Sequence, residues 1–227
     1  MPVNIQNFRK IYTELTARNV TLVAVSKTKP MEDINELYLL GQRDFGENYV
    51  QELVDKEAVL PKDINWHFIG HLQSNKVKYI APFVYLIHGV DSLKLLQEIN
   101  KQAIKNNRII NCLLQVYIAK EESKFGLDEN ELELIKQQLP TLNNIRICGL
   151  MGMASFTDNS QIVKTEFQYL QQLHQSIKSW SLSNADNPNI LSMGMSGDYL
   201  LAIDCGSTMV RIGSLLFGER KYLDKKM

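Results

Sequence analysis

Short apolar runs alternate with amphipathic stretches along almost the whole chain. Residues 4–19 carry Ile5, Phe8, Ile11, Tyr12 and Leu15 at three-to-four spacing, which predicts a helix. The β-branched run Thr21-Leu22-Val23-Ala24-Val25 follows and reads as a buried strand, stopping at Ser26-Lys27-Thr28-Lys29-Pro30. A helical pattern then passes through Ile34, Leu37, Tyr38 and Leu40 to Gly41, a typical stop residue. Further strands are predicted at 43–46, 65–69, 84–88, 110–118, 145–150, 189–193 and 207–212. The clearest amphipathic stretches between them are 92–105, 128–139 and 161–180. With 21–27 as the first, there are eight strands, each but the last followed by a helix-like segment. Repeated βα units imply a parallel sheet covered by helices, and eight of them close into a barrel. An open doubly wound sheet is the alternative, but the first β–α turn, SKTKP, lacks the Gly-rich dinucleotide fingerprint. No P-loop occurs anywhere, and no linker or low-complexity segment marks a boundary. The expected fold is therefore α/β, a single (β/α)8 TIM barrel domain over 1–227.

Composition narrows the partners more than the fold. The 227 residues hold 25 Lys+Arg against 25 Asp+Glu, and this zero balance argues against a broad footprint for nucleic acid or anionic lipid. No stretch approaches the ~18 apolar residues that span a membrane. The N-terminus, MPVNIQNFRKIYTEL, lacks an apolar secretory core, so a cytoplasmic location is expected. Cys112, Cys148 and Cys205 form no C-x-x-C pair, which suits buried thiols in a reducing compartment. In that setting the sequon Asn19-Val20-Thr21 carries no meaning.

Barrel chemistry sits where strands run into βα loops. Lys27 comes straight off a buried run, where a desolvated amine can form a Schiff base with a carbonyl compound. Most lysines are surface groups, and Lys29 is its natural rival. Pro30 favours Lys27, because the residue before a proline is pushed into loop-start geometry. Asn48 and Asn75 could donate to a ligand, or Asn48 and Ser74 could simply cap the following helices. His67 and His71 have helical chelating spacing, but on a strand four residues span ~13 Å, so no metal site is expected. The last two strands run into SMGMSGD and RIGS, whose small residues and hydroxyls, Ser196 and Ser214, suit the phosphate site barrels often build there.

Six motifs occur in order across residues 22–220: VAVSKTKP, FGENYVQE, WHFIGHLQSNK, GLMGM, SMGMSGDY and GSTMVRIGSLLFGER. Together they resemble the pyridoxal 5′-phosphate homeostasis protein family, also called the proline synthetase co-transcribed family. That family is a barrel related to the N-terminal domain of alanine racemase, in the fold-type III group. The resemblance implies a pyridoxal-phosphate binding protein that maintains vitamin B6 and amino-acid balance without catalytic turnover. By position, Lys27 is similar to the lysine that holds pyridoxal phosphate covalently as an aldimine. Arg211 matches the arginine facing the pyridine nitrogen, and Ser196, Gly213 and Ser214 match the phosphate cup. Asn48 and Met151 correspond to residues beside the ring, and Lys124 to a recurrent lysine without a derivable role. Gly197 departs from relatives that carry an acidic residue, while Asp198 is kept.

An arginine at the ring nitrogen can only donate a hydrogen bond, so it does not supply the electron sink that a transaminase carboxylate maintains. This suits a carrier with no catalytic residue, and also an amino-acid racemase, the alternative function. A two-base racemase needs a second acid/base from a further domain. The chain runs only seven residues past Arg220, so none is expected. A Schiff-base aldolase acting on a sugar phosphate through Lys27 is a more distant reading. Expected partners are the small-molecule cofactor and pyridoxal-phosphate-dependent apo-enzymes, with no nucleic acid, no membrane and no metal, and the expected state is a monomer.

Overall fold

A computed structural model of the chain describes residues 3–119, 126–178, 180 and 189–218. Lys124 lies outside them. Eight parallel strands form a closed barrel in chain order: β1 (Thr21–Val25), β2 (Asp44–Glu47), β3 (Asn65–Phe68), β4 (Leu86–Val90), β5 (Ile110–Gln115), β6 (Ile145–Met151), β7 (Ile190–Met195) and β8 (Met209–Ile212). The ring closes where Thr21 pairs with Met209 and Ala24 with Ile212. Around it run α1 (Ile5–Ala17), α2 (Met31–Leu39), α3 (Val50–Val59), α4 (Val77–Ile80), α5 (Leu93–Lys105), α6 (Glu129–Gln138), α7 (Ser160–Ile177), α8 (Tyr199–Asp204) and α9 (Ser214–Phe217).

Local chemistry accounts for most boundaries. The Asn4 and Ser92 side chains accept from the first turns of α1 and α5, and Asp128 with Glu131 forms a capping box on α6. Pro30 caps α2 with φ −67°, already suited to helix entry. Gly41, at φ +100°, ends that segment in a conformation few side chains accept. All eight predicted strands shift by one to three residues at an end, and four of the shifts have a local cause. β1 stops at Val25, because Ser26 and Lys27 already belong to the loop. β4 begins at Leu86 rather than residue 84, since the Val84 amide closes the turn after α4 on the Ile80 carbonyl. β5 ends at Gln115, with Val116 keeping one isolated bridge to Leu127. β8 starts at Met209, because Ser207 and Thr208 spend their hydroxyls on the β7 backbone. The last strand is followed by a helix after all, although α9 is a single turn.

The larger apolar cluster lies between strands and helices and buries Phe8, Phe45, Phe68, Phe167 and Phe217. Each such ring contributes about 1.5–3 kcal/mol through its removal from water. The interior holds a smaller plug of Val23, Leu86, Leu113, Met151 and Met209. Among the described residues no helix is long and apolar enough to cross a membrane.

The register between β5 and β6 slips after Cys112, and Gly149 sits opposite Leu113 at that slip with φ +149°. A Cβ there would overlap the Ile190 carbonyl on β7. Gly149→Ala is therefore expected to lower stability by about 3 kcal/mol or more, through backbone strain and a forced separation of β6 from β7. Urea unfolding checks this, and a loss under about 1 kcal/mol would contradict it.

Candidate functional site

All eight strands present their carboxyl ends to one face of the barrel, and a cavity of about 460 Å³ opens there. Lys27, Asn48, Ser196, Arg211, Gly213 and Ser214 line it together. Met151 does not. It is 1% exposed and belongs to the apolar plug beneath, while Met153, two residues further on, forms the wall with Ile69 and Phe156. Met153, past the end of β6, packs on that plug from the cavity side.

The loop carrying Lys27 is held on both sides by buried charge. The Ser26 hydroxyl donates to Glu47 Oε1 at 2.6 Å, and the Ser26 carbonyl accepts from Lys56 Nζ at 2.8 Å. Lys56 also donates to Glu47 at 2.8 Å and to Glu52 at 2.7 Å. Glu52 in turn accepts from the Thr28 amide at 2.6 Å. Lys56 is 3% exposed and Glu47 fully buried, so this network is far from a surface ion pair. Its task is visible in Thr28, a β-branched residue held at φ 62°. Such a conformation costs ~1–3 kcal/mol and persists only when neighbours enforce it. Burial pushes the Glu47 carboxyl above its usual range, with Lys56 and Ser26 opposing the shift.

Lys29 also reaches the cavity wall, but its ammonium is engaged elsewhere. It donates to the carbonyls of Phe217 at 2.7 Å and Gly218 at 3.3 Å, where α9 ends. Lys27 stands half-buried on the same cavity wall.

Arg211 points inward from β8 and is 5% exposed. Its Nη1 donates to the Ser192 carbonyl at 2.8 Å and hydroxyl at 2.6 Å, and its Nη2 to the Gly152 carbonyl at 3.1 Å. Burial lowers its pKa to about 10, against a raising influence from Asp198. It stays a cation at neutral pH. On the facing loops, the Gly213 amide donates to Ser196 Oγ at 3.3 Å, joining the turn after β7 to the turn after β8. Asp198 Oδ1 accepts from the Met195 amide at 2.6 Å and so shapes the first of these turns. The first turn of α9 presents amides without intrahelical partners beside Gly213 and Ser214.

Asn48 neither caps a helix nor satisfies its own carbonyl. Tyr49 stands at the start of α3 without a side-chain cap, and Asn48 Oδ1 is buried with no hydrogen-bond partner. A buried acceptor left open at a cavity wall fits a donor carried by a ligand. Ser74 likewise caps nothing, since Gln73 precedes that turn. His67 is buried inside the barrel, whereas His71 is partly exposed and pairs with Asp91 at 2.9 Å.

Sequence reasoning missed the Ser26–Glu47–Lys56–Glu52 network, and only the Glu52–Lys56 spacing on α3 could have hinted at it. It also missed Ile69, Met153 and Phe156, whose apolar character says nothing about which face they occupy.

The family described as "Alanine racemase, N-terminal domain" matches residues 4–221. The pyridoxal phosphate homeostasis protein of Aquifex aeolicus is 43% identical over 202 residues, covering 88% of this chain and 87% of that protein. The human protein of the same name is 42% identical over 227 residues, covering 93% and 81%. Among solved structures, PipY of Synechococcus elongatus with pyridoxal phosphate bound aligns with a TM-score of 0.84 at 34% identity, covering 94% and 99%. Alanine racemase from Bartonella henselae aligns with a TM-score of 0.67 at 18% identity, over 94% of this chain and 59% of that one, a likeness of fold.

Removing the Lys56 charge tests the clamp. Lys56→Met leaves Glu47 buried without its cation and is expected to destabilise the protein by about 3 kcal/mol at neutral pH. Because the folded state raises the Glu47 pKa, it holds that proton to higher pH than the unfolded chain does. The resulting stabilisation is present below the ordinary carboxylate range and is lost as pH rises through the folded value. The deficit of Lys56→Met should accordingly shrink near pH 5, as urea unfolding at both values will show. A deficit independent of pH would contradict the assignment.

Proposed function

Because the chain belongs to the pyridoxal phosphate homeostasis proteins, within the alanine racemase N-terminal domain family, we propose that it binds pyridoxal 5′-phosphate covalently at Lys27 and serves vitamin B6 and amino-acid homeostasis without turnover of its own. The observation that carries this reading is the meeting of an amine, a buried guanidinium and two small-residue loops in one cavity.

The fit of residues to cofactor is specific. Ser196, Gly213 and Ser214 take the phosphate through hydroxyls and amides, each charge-assisted bond contributing roughly 1.5–3 kcal/mol. Asn48 stands on the cavity wall, where its side-chain amide can donate to the oxygen substituent of the ring. Met153 and Ile69 exclude water from the ring. Met151, one level lower, acts through the plug that supports them.

Bound pyridoxal phosphate supplies a carbonyl carbon to amines and a ring that can withdraw electrons when its nitrogen is protonated. Lys27 provides the amine, and the clamp on Ser26 and Thr28 keeps its backbone still. Arg211 donates to the ring nitrogen and keeps its own proton, because its pKa of about 10 lies well above that of a pyridine in this setting. The residues thus hold the cofactor while leaving its electron-withdrawing capacity low, as suits a store that releases it to pyridoxal-phosphate-dependent apo-enzymes. Amino-acid racemisation by the loaded protein above the free-cofactor background would overturn the non-catalytic part.

Borohydride reduction followed by peptide mapping tests the anchor. The label is expected on Lys27, Lys27→Ala should lose the covalent absorbance band, and Lys29→Ala should retain it. Fixation at Lys29 or Lys76 in the unaltered protein would refute the assignment. The phosphate cup has its own test: pyridoxal without phosphate should bind about tenfold more weakly or worse, and equal affinity would refute the cup.

A further inference from the structure

The interior below the cavity is crossed by a line of polar side chains. Asp44 Oδ1 lies 2.9 Å from His67 Nε2, and His67 Nδ1 lies 2.9 Å from His88 Nε2. His88 Nδ1 lies 3.2 Å from Ser192 Oγ, which accepts from Arg211 Nη1 at 2.6 Å. His67, His88 and Ser192 are fully buried. Asp44 opens β2, at the end of the barrel opposite the cofactor cavity. There its carboxylate lines a second cavity of about 270 Å³, with a side chain 24% exposed. One continuous hydrogen-bonded seam therefore joins the two ends of the barrel.

Its two termini fix its direction. A guanidinium can only donate, and a carboxylate can only accept. Ser192 Oγ accepts a hydrogen bond from Arg211, so its own hydroxyl is oriented to donate to His88 Nδ1. His88 then carries its proton on Nε2 and donates to His67 Nδ1, and His67 donates through Nε2 to Asp44. In that direction both rings share one tautomer and all four ring nitrogens are satisfied. The opposite direction would need an added proton on His67 or Asp44 and would leave the Ser192 hydroxyl proton without an acceptor. Burial, together with His67 and Arg211, pushes the His88 pKa well below its ordinary value near 6.5, in keeping with a neutral ring.

We propose that Asp44, His67, His88 and Ser192 are positioning residues that lock Arg211 as a donor toward the cavity and couple ionisation at the far end of the barrel to the ring nitrogen of bound pyridoxal phosphate. This rests on the binding reading above. The charged and titratable groups around the seam are Asp44 at its foot, Tyr85 with its ring 5.4 Å from His67, Cys148 acting on Tyr85, Arg146 two residues before Cys148, Arg211 at its head and Asp198 beyond. Asn65 Nδ2 donates to Asp44 at 3.2 Å and helps to hold the foot in place.

Two measurements decide it. In the cofactor-free protein labelled with ¹⁵N-histidine, ring NMR at pH 7 should find His67 and His88 neutral with the proton on Nε2. A proton on Nδ1 of either ring, or an imidazolium, overturns the proposal. In the loaded protein, Asp44→Asn should move the pH midpoint of the cofactor absorbance by about half a unit or more, while the amount bound stays as in the unaltered protein. Asp55→Asn, an exposed charge on α3, should leave that midpoint in place. A folded, loaded Asp44→Asn protein with an unmoved midpoint overturns the coupling. If the unaltered protein takes up no pyridoxal phosphate, the binding reading fails and the ring tautomers alone decide the seam. They also decide it if Asp44→Asn does not fold.

Discussion

A guanidinium kept inside a barrel must be solvated by the barrel itself. Arg211 lies almost wholly out of water, and two carbonyls and a hydroxyl from β7 and the end of β6 take the place of its hydration shell. An uncompensated buried charge costs several kcal/mol, so those acceptors cannot drift. They lie on separate chain segments, which ties the relative placement of β6, β7 and β8 to a single side chain. The slip between Ser192 and Met195 on β7 belongs to the same arrangement, because it lets Ser192 face Arg211 while the next turn rises to the cavity. An apolar residue at position 211 would fill the same space with no such demand, so the charge is a requirement of the site.

The two polar groups proposed to hold the cofactor are fixed in opposite ways. Arg211 is placed by neutral dipoles in the interior, whereas the backbone around Lys27 is placed by a charged cluster outside the strands. That cluster keeps Thr28 in a conformation it would not adopt alone, so local strain is balanced against a buried ion pair. Both arrangements keep a polar group rigid without using the cavity's own surface.

The barrel could be read from the sequence because apolar runs and amphipathic stretches differ in period, and that difference survives without long-range information. Boundaries were legible where a cap or a glycine marks them, as at Asn4, Gly41 and Asp128. They were less so at β4, where Val84 to Ile87 is one apolar run with no internal mark. Lys27 stood out because it follows directly on a buried strand, and Arg211 because of its motif. His67, His88 and Ser192 could not be paired in advance: Ser192 is separated from His88 by 104 positions, and each residue alone is ordinary. Met151 shows a similar limit, since it was expected beside the ring but lies one level lower, in the plug.

Closure of the ring by pairing β1 with β8 has a consequence in time. Lys27 leaves the first strand, while Ser196, Arg211 and Gly213 belong to the last two and their loops. During synthesis the amine emerges early, and the groups that give it selectivity emerge almost at the end. Contacts between such distant segments form late in folding, because the intervening loop must be ordered first. On the binding reading proposed above, a nascent chain carries the lysine without its cradle, and selectivity arrives only when the final strand docks. Vitamin capture would then report a finished ring, and a ribosome stalled before the last strand would yield a chain with the amine and none of the discrimination.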